Sequence, residues 1–167
     1  MSYKTEGNLQ AAFAEECQAY CRYIQFAVKA DAEGLPQAAR LFRAAAEAEL
    51  VHVRNHFTVM GGIGSTRENL LAATTSEDRL LHQLYPGFKD KAAEEQNERA
   101  QLSFDYALKS EKVHHDKFET AFEAAKAGQK MAPEPYFVCR VCGNMASAKA
   151  PEKCGICNNT ASFGQVE

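Results

Sequence analysis

Phe42-Arg43-Ala44-Ala45-Ala46-Glu47-Ala48-Glu49-Leu50-Val51-His52 is built from strong helix formers, and its apolar stripe is broken by a carboxylate. Steps of three and four collect Phe42, Ala45, Glu49, His52 and His56 on one helical face. The spelling returns 62 residues later as Phe104, Ala107, Glu111, His114 and Phe118. Upstream of each copy runs a second stripe. The first reads Leu9, Phe13, Glu16, Tyr20, Tyr23, Ala27, and its counterpart Leu70, Ala73, Glu77, Leu80, Leu84, Phe88. Here Asn8-Leu9-Gln10-Ala11-Ala12 is echoed by Asn69-Leu70-Leu71-Ala72-Ala73 at an offset of 61, which carries Glu16 onto Glu77. A helix pair repeated twice accounts for these matches.

The breakers agree. Gly34-Leu35-Pro36 separates the first helix from the second, and Gly61-Gly62-Ile63-Gly64 ends the second near Met60. Ser65-Thr66-Arg67-Glu68 has the form of a capping box opening the third. Pro86-Gly87 predicts a kink near the middle of the third, and the fourth begins after Gln96-Asn97 and ends near Lys126. Four long helices with short connections predict an all-α four-helix bundle over residues 1–130. Gly128 to Pro135, with two prolines, marks the boundary to a small Cys-rich domain over 131–167.

One glutamate interrupts each stripe near its centre, and in two helices a histidine follows one turn later. A buried carboxylate is costly unless it is paired or bound to a metal, and four converging in one bundle repel one another. Two divalent cations balance four carboxylates. Residues at i and i+3 share a helical face, so Glu49 with His52, and Glu111 with His114, can bind together. One Glu from each of two helices and Glu-x-x-His from each of the other two is the ligand logic of the dimetal site in ferritin-like bundles. The predicted ligands are Glu16, Glu49, His52, Glu77, Glu111 and His114; mixed oxygen and nitrogen ligation suits iron or manganese and admits zinc. His115 is assigned to the surface because the repeat offset selects His114. His56 is expected to support the site, and Cys17 and Cys21 to act as small core residues.

Cys139-Arg140-Val141-Cys142 and Cys154-Gly155-Ile156-Cys157 supply four thiolates in two turns, the pattern of a tetrahedral four-sulfur site. The segment from Tyr136 is too short for an apolar core, so a metal, iron or zinc, is expected to provide most of its folding energy.

The 167 residues carry a net charge of −3, which gives no general attraction to nucleic acid or anionic membrane. No apolar run approaches the roughly 18–20 residues of a membrane span. The start, Met1 to Glu6, lacks an export signal, and the expected location is cytoplasmic.

The bundle with its site and the single CxxC…CxxC module together resemble the rubrerythrin family along nearly the whole chain. Asn8-Leu9…Ala12-Phe13-Ala14…Glu16, Glu49-Leu50-Val51-His52, the Met60-Gly61-Gly62 exit, Tyr85-Pro86 and Glu111-Lys112-Val113-His114 carry the likeness. The resemblance implies a ferritin-like di-iron bundle followed by a rubredoxin-like Fe(Cys)4 domain. It implies a peroxidase of oxidative-stress defence, reducing hydrogen peroxide to water. Electrons would come from rubredoxin or an NAD(P)H-linked reductase and pass through the Fe(Cys)4 site, in a homodimer or larger homo-oligomer. By the same resemblance Glu49 and Glu111 bridge the metals, Glu16 and Glu77 are terminal, and His52 and His114 cap one metal each. Tyr23 and Tyr85 fall where the family keeps tyrosines bonded to ligand glutamates. The family's third helix usually carries a further ligand glutamate three residues after the first; here that position is Leu80. Its loss leaves a symmetric ligand set closer to ferroxidases and O2-consuming di-iron oxidases, the alternative reading. A further alternative is a non-catalytic electron carrier or redox sensor.

Overall fold

The computed structural model describes residues 3–166. It comprises α1 (Tyr3–Ala32), α2 (Pro36–Val59), α3 (Thr66–Arg79), a π-helical turn (Leu80–Leu84), α4 (Tyr85–Glu94), α5 (Glu98–Lys126) and the strands β1 (Tyr136–Cys139), β2 (Met145–Ser147) and β3 (Phe163–Val166). These fall into two compact units that divide between Gly64 and Ser65.

The first unit is the hairpin of α1 and α2. Alanine dominates its seam: Ala19, Ala27, Ala30, Ala39 and Ala46 are buried, which lets two backbones approach closely. Gly34 closes α1 in the left-handed region, at φ 72°, and Pro36 opens α2 where a missing N–H costs nothing. Arg43 on α2 pairs with Asp31 near the end of α1. At the other end Phe13 stacks on Phe57 with ring centroids 5.1 Å apart. Gly62 makes room for that stack, since a β-carbon there would lie 2.2 Å from the Phe57 ring. Gly62→Ala should therefore push Phe57 off Phe13 and cost about 1–3 kcal/mol, read as a lower thermal midpoint. An unchanged midpoint would show that the stack contributes nothing.

The second unit begins with the capping box. Ser65 Oγ accepts from the Glu68 backbone N–H, and the Glu68 carboxylate accepts from the Ser65 N–H. Asn97 caps α5 by accepting from the Ala100 N–H. Asp105 on α5 is held by Lys89 of α4 and by Lys109 at 2.5 and 2.6 Å. Beyond α5 a three-stranded antiparallel sheet in the order β2-β1-β3 carries the two cysteine turns. Its buried cluster consists of Cys139, Cys142 and Cys154, with Ile156, Cys157, Phe163 and Tyr106 of α5 packed against it. The sulfur cluster is itself the module's core.

Pro86 does not simply kink the third helix. The change of helix type comes before it, in the π-turn, where the Tyr85 N–H reaches back five residues to the Leu80 carbonyl. A shift in repeat offset marks the place. Glu16 and Glu77 are 61 apart, whereas Tyr23 and Tyr85, Phe26 and Phe88, and Phe42 and Phe104 are all 62 apart. One residue has been inserted between Glu77 and Tyr85, and the π-turn absorbs it.

Candidate metal centres

In the first unit α1 contributes Glu16, and α2 contributes Glu49 and His52. Their ligand atoms lie within 4.8 Å of one another. His52 Nδ1 is 2.9 Å from Glu49 Oε2 and 3.7 Å from Glu16 Oε1, and half of the imidazole is exposed. In the second unit α3 contributes Glu77, and α5 contributes Glu111 and His114, again within 4.8 Å. His114 Nδ1 is 2.7 Å from Glu111 Oε2, the same i, i+3 contact as in the first unit.

The second cluster is more enclosed. Glu77 Oε2 is buried and has no hydrogen-bond partner. Burial, reinforced by the hydrogen bond and charge of Glu111 and opposed by His114, pushes the Glu77 carboxyl up to about 7. An orphaned buried carboxylate oxygen facing a second carboxylate and an imidazole fits a divalent cation. Burial, and then the charges of Glu111 and Glu77, raise the Tyr85 hydroxyl above its usual range.

The π-turn explains why Tyr85 feels both glutamates. Glu16 and Tyr23 are seven apart, two turns on one face, whereas Glu77 and Tyr85 are eight apart, about 100° further round a regular helix. Looping out one residue restores Tyr85 to the Glu77 side. The aromatic surroundings then match between repeats. Tyr23 lies 6.3 Å from Phe26 and 6.4 Å from Phe42, and Tyr85 lies 6.2 Å from Phe88 and 6.3 Å from Phe104. Leu80, half-buried at the start of the π-turn, offers no donor atom. His82 is exposed and turned to Asp78, with Nδ1 3.0 Å from Oδ1.

His56 is half-buried and stands outside the clustered donors. Of the two helical cysteines, Cys17 is half-buried and Cys21 is exposed, so only the former behaves as partial core. His115 is less exposed than its surface assignment implies. It forms a loose cluster with Asp116 and Glu119, in which Asp116 is already bonded to Lys112.

The four C-terminal sulfurs also lie within 4.8 Å of one another. Cys139 Sγ is 3.7 Å from Cys157 Sγ, and Cys142 Sγ is 3.6 Å from Cys154 Sγ. These are too long for disulfides, at about 2.05 Å, and close to the roughly 3.8 Å edge of a tetrahedron with metal–sulfur bonds of about 2.3 Å. The thiols differ in acidity. Burial opposes ionisation of Cys139, yet hydrogen bonds from the Ser162 hydroxyl and from the Val141 and Cys142 backbone hold it down at about 6. Burial pushes Cys142 up to about 12, with the neighbouring sulfurs adding to the rise. Four thiolates this close require a cation between them.

Hydrogen bonds that the sequence did not disclose join this module to α5, among them one from Lys117 Nζ to Ser147 Oγ at 3.1 Å. The Ser110 hydroxyl, 2% exposed, donates to the Cys142 carbonyl at 2.6 Å. One turn on, His114 Nε2 lies 3.0 Å from the Gly143 carbonyl. A carbonyl only accepts, so Nε2 donates to it, and Nδ1 is the nitrogen turned toward the glutamates. The repeat held a faint signal: the counterpart of Ser110 is Ala48, so serine is the departure, and it stands where the module docks.

Two carboxylate–histidine clusters on repeated helix pairs and a four-sulfur module define a non-haem dimetal carboxylate protein with an appended rubredoxin-like site. The rubrerythrin family profile matches residues 7–122. Rubrerythrin of Porphyromonas gingivalis is 34% identical, with 96% of this chain and 88% of that protein covered. Rubrerythrin-2 of Clostridium acetobutylicum is 31% identical, with 89% of each covered. The solved structure of partially reduced nigerythrin is similar at a TM-score of 0.58 and 30% identity, covering 97% of this chain and 86% of that one. The chain belongs to the rubrerythrin family. Its fold class is the ferritin-like bundle followed by a rubredoxin-like module, and membership makes it an iron-binding oxidoreductase of oxidative-stress defence. Among the described residues no helix is long and apolar enough to cross a membrane.

Proposed function

We propose that this protein is a hydrogen peroxide reductase whose reducing equivalents pass from the four-cysteine site to the bundle. The observation that carries this reading is the His114 Nε2 to Gly143 carbonyl bond. It sets an imidazole of one candidate metal cluster against the residue next to Cys142, a sulfur ligand of the other. In this reading Glu16, Glu49 and His52 hold one iron, and Glu77, Glu111 and His114 hold the second. Cys139, Cys142, Cys154 and Cys157 hold the third. The bundle domain spans 1–130 and the four-cysteine domain 131–167. Iron bound in the bundle would supply electrons to the O–O bond, in the overall reaction H2O2 + 2 H+ + 2 e− → 2 H2O.

The chain's own groups do the rest. Glu111 orients Nδ1 of His114 while Gly143 fixes the proton on Nε2, so the ring presents one defined face. Tyr85 keeps its phenolic proton, because burial and two carboxylates disfavour the phenolate, and holds it on Oη beside the cluster. Tyr23 occupies the equivalent aromatic setting in the first unit. The reductant would be rubredoxin or an NAD(P)H-linked reductase, and the setting a cytoplasmic homodimer or larger homo-oligomer.

Leu80 favours a second reading, a ferroxidase or O2-consuming oxidase, because it removes a carboxylate from the inward side of the third helix. Anaerobic stopped-flow mixing of iron-loaded, reduced protein with peroxide or with O2 separates the two. Faster oxidation by peroxide is expected, followed by loss of the reduced Fe(Cys)4 spectrum. Faster oxidation by O2 would establish the oxidase, and slow reaction with both would leave a carrier.

A further inference from the structure

Two buried side-chain polar atoms have no hydrogen-bond partner among the described residues: Glu77 Oε2 and Asn144 Oδ1. The first belongs to a candidate metal cluster. The second needs a separate account, because an orphaned buried amide oxygen is costly and rarely retained without reason.

The other end of that amide supplies the reason. Asn144 Nδ2 donates to Cys154 Sγ at 3.6 Å, across from the cysteine turn to which Asn144 is attached. Its backbone carbonyl accepts from the Cys139 N–H at 2.8 Å, so the residue is anchored between the two turns. Rotating the amide by half a turn would set Oδ1 against the sulfur, two lone-pair centres facing each other. The orientation that orphans Oδ1 is the one that gives sulfur a donor. On the other side of the cluster Ser162 Oγ lies 3.2 Å from Cys139 Sγ. Once that thiol has lost its proton to a metal, the hydroxyl hydrogen is the only one that can join the two atoms, and the sulfur is a nearer acceptor for it than the Asn159 carbonyl, 3.5 Å from Oγ.

We propose that Asn144 and Ser162 are potential-setting residues, raising the reduction potential of iron at the four-cysteine site by donating hydrogen bonds to Cys154 and Cys139. The proposal rests on the reading that iron occupies this site. One-electron reduction takes a ferric ion with four thiolates, net −1, to a ferrous one, net −2, with no bond made or broken. Donors aimed at sulfur stabilise the more negative state, and hydrogen bonding to sulfur is among the factors that set such potentials. Neither residue touches the metal; each acts through a sulfur.

The test is a mediated redox titration of the full, iron-loaded chain, followed by the thiolate-to-iron absorption of the four-cysteine site. Asn144→Ala and Ser162→Ala should each lower the equilibrium constant for reduction several-fold. Together they should lower it at least about tenfold, a midpoint shift of about 59 mV for one electron. Asn144→Asp, which keeps the shape and removes the N–H, should fall at least as far as Asn144→Ala. A double variant within twofold of the parent overturns the proposal. So does a loss in Asn144→Ala that Asn144→Asp restores, which would mark packing rather than donation. A site that takes zinc and refuses iron overturns the iron reading together with the proposal, whereas equal midpoints in iron-loaded proteins overturn the proposal alone.

Discussion

Replacing Cys154 by serine is expected to strip the C-terminal module of both metal and structure while leaving the helices intact. Cys154 is fully buried, and the cluster around it contains Cys139 and Cys142 as its other buried members. Phe163, Ile156 and Tyr106 pack on the sulfurs rather than on one another's apolar core. Three short strands, of four, three and four residues, cannot offset their own ordering entropy without that centre. Metal binding in such modules is folding free energy, on the order of 10–16 kcal/mol for structural zinc. One lost thiolate should therefore collapse the module cooperatively. Metal content should fall by one ion per chain, and amide exchange in β1–β3 should approach the unprotected limit. Helical circular dichroism should change little, since the module meets α5 through a few side chains, Tyr106, Ser110, His114 and Lys117. A variant that keeps protected strands without metal would show that the module folds by itself.

The second large effect concerns Glu77. In the metal-free protein its carboxyl titrates near 7, well above the ordinary value of 4.5, chiefly because it is buried and then because Glu111 faces it. The folded state therefore holds this proton more tightly than the unfolded chain does. The favourable contribution is fully present below about pH 4.5 and is lost as pH rises through about 7. The shift corresponds to at most about 3 kcal/mol, and partial access of water reduces it to about 1–2 kcal/mol. Glu77→Gln removes the charge and should stabilise the metal-free protein by about that amount at pH 8, with little effect at pH 4.5. The same change should abolish tight metal binding by the Glu77, Glu111 and His114 cluster, because the amide cannot supply the balancing charge. Thermal midpoints at the two pH values, with and without added ferrous or zinc ion, check both halves. If the variant is no more stable than the parent at pH 8 without metal, the carboxylate is not strained. If it still gains stability from metal as the parent does, Glu77 is not a ligand.

Much of this is legible in the chain itself. The Glu-x-x-His pairs at one offset, the glutamates on the preceding stripes and the two CxxC turns are local patterns, and each depends only on residue spacing along a helix or turn. The capping box at Ser65 and Glu68 is legible for the same reason. Contacts between elements distant in sequence are not. Nothing in the neighbourhood of Ser110 reveals that the Cys142 carbonyl will lie above it, because that partner arrives 32 residues later through a proline-rich linker. The amide of Asn144 could not be aimed from sequence, since its direction depends on where the opposite cysteine turn falls. The π-turn lies between these cases. The change of offset from 61 to 62 marks an inserted residue, but Pro86 offers a nearer explanation and draws the irregularity to itself.

That inserted residue has a consequence for the chemistry of a duplicated protein. Two tandem copies of one helix pair, left alone, would build two interchangeable metal positions with the same affinity and the same redox behaviour. Here the second copy is lengthened by one residue beside its glutamate, and it also carries the serine against which the sulfur module rests. The lengthening and Ser110 set the two clusters in different surroundings. One copy carries an imidazole bonded to the backbone of a cysteine turn at Gly143, and the other keeps its imidazole half-exposed.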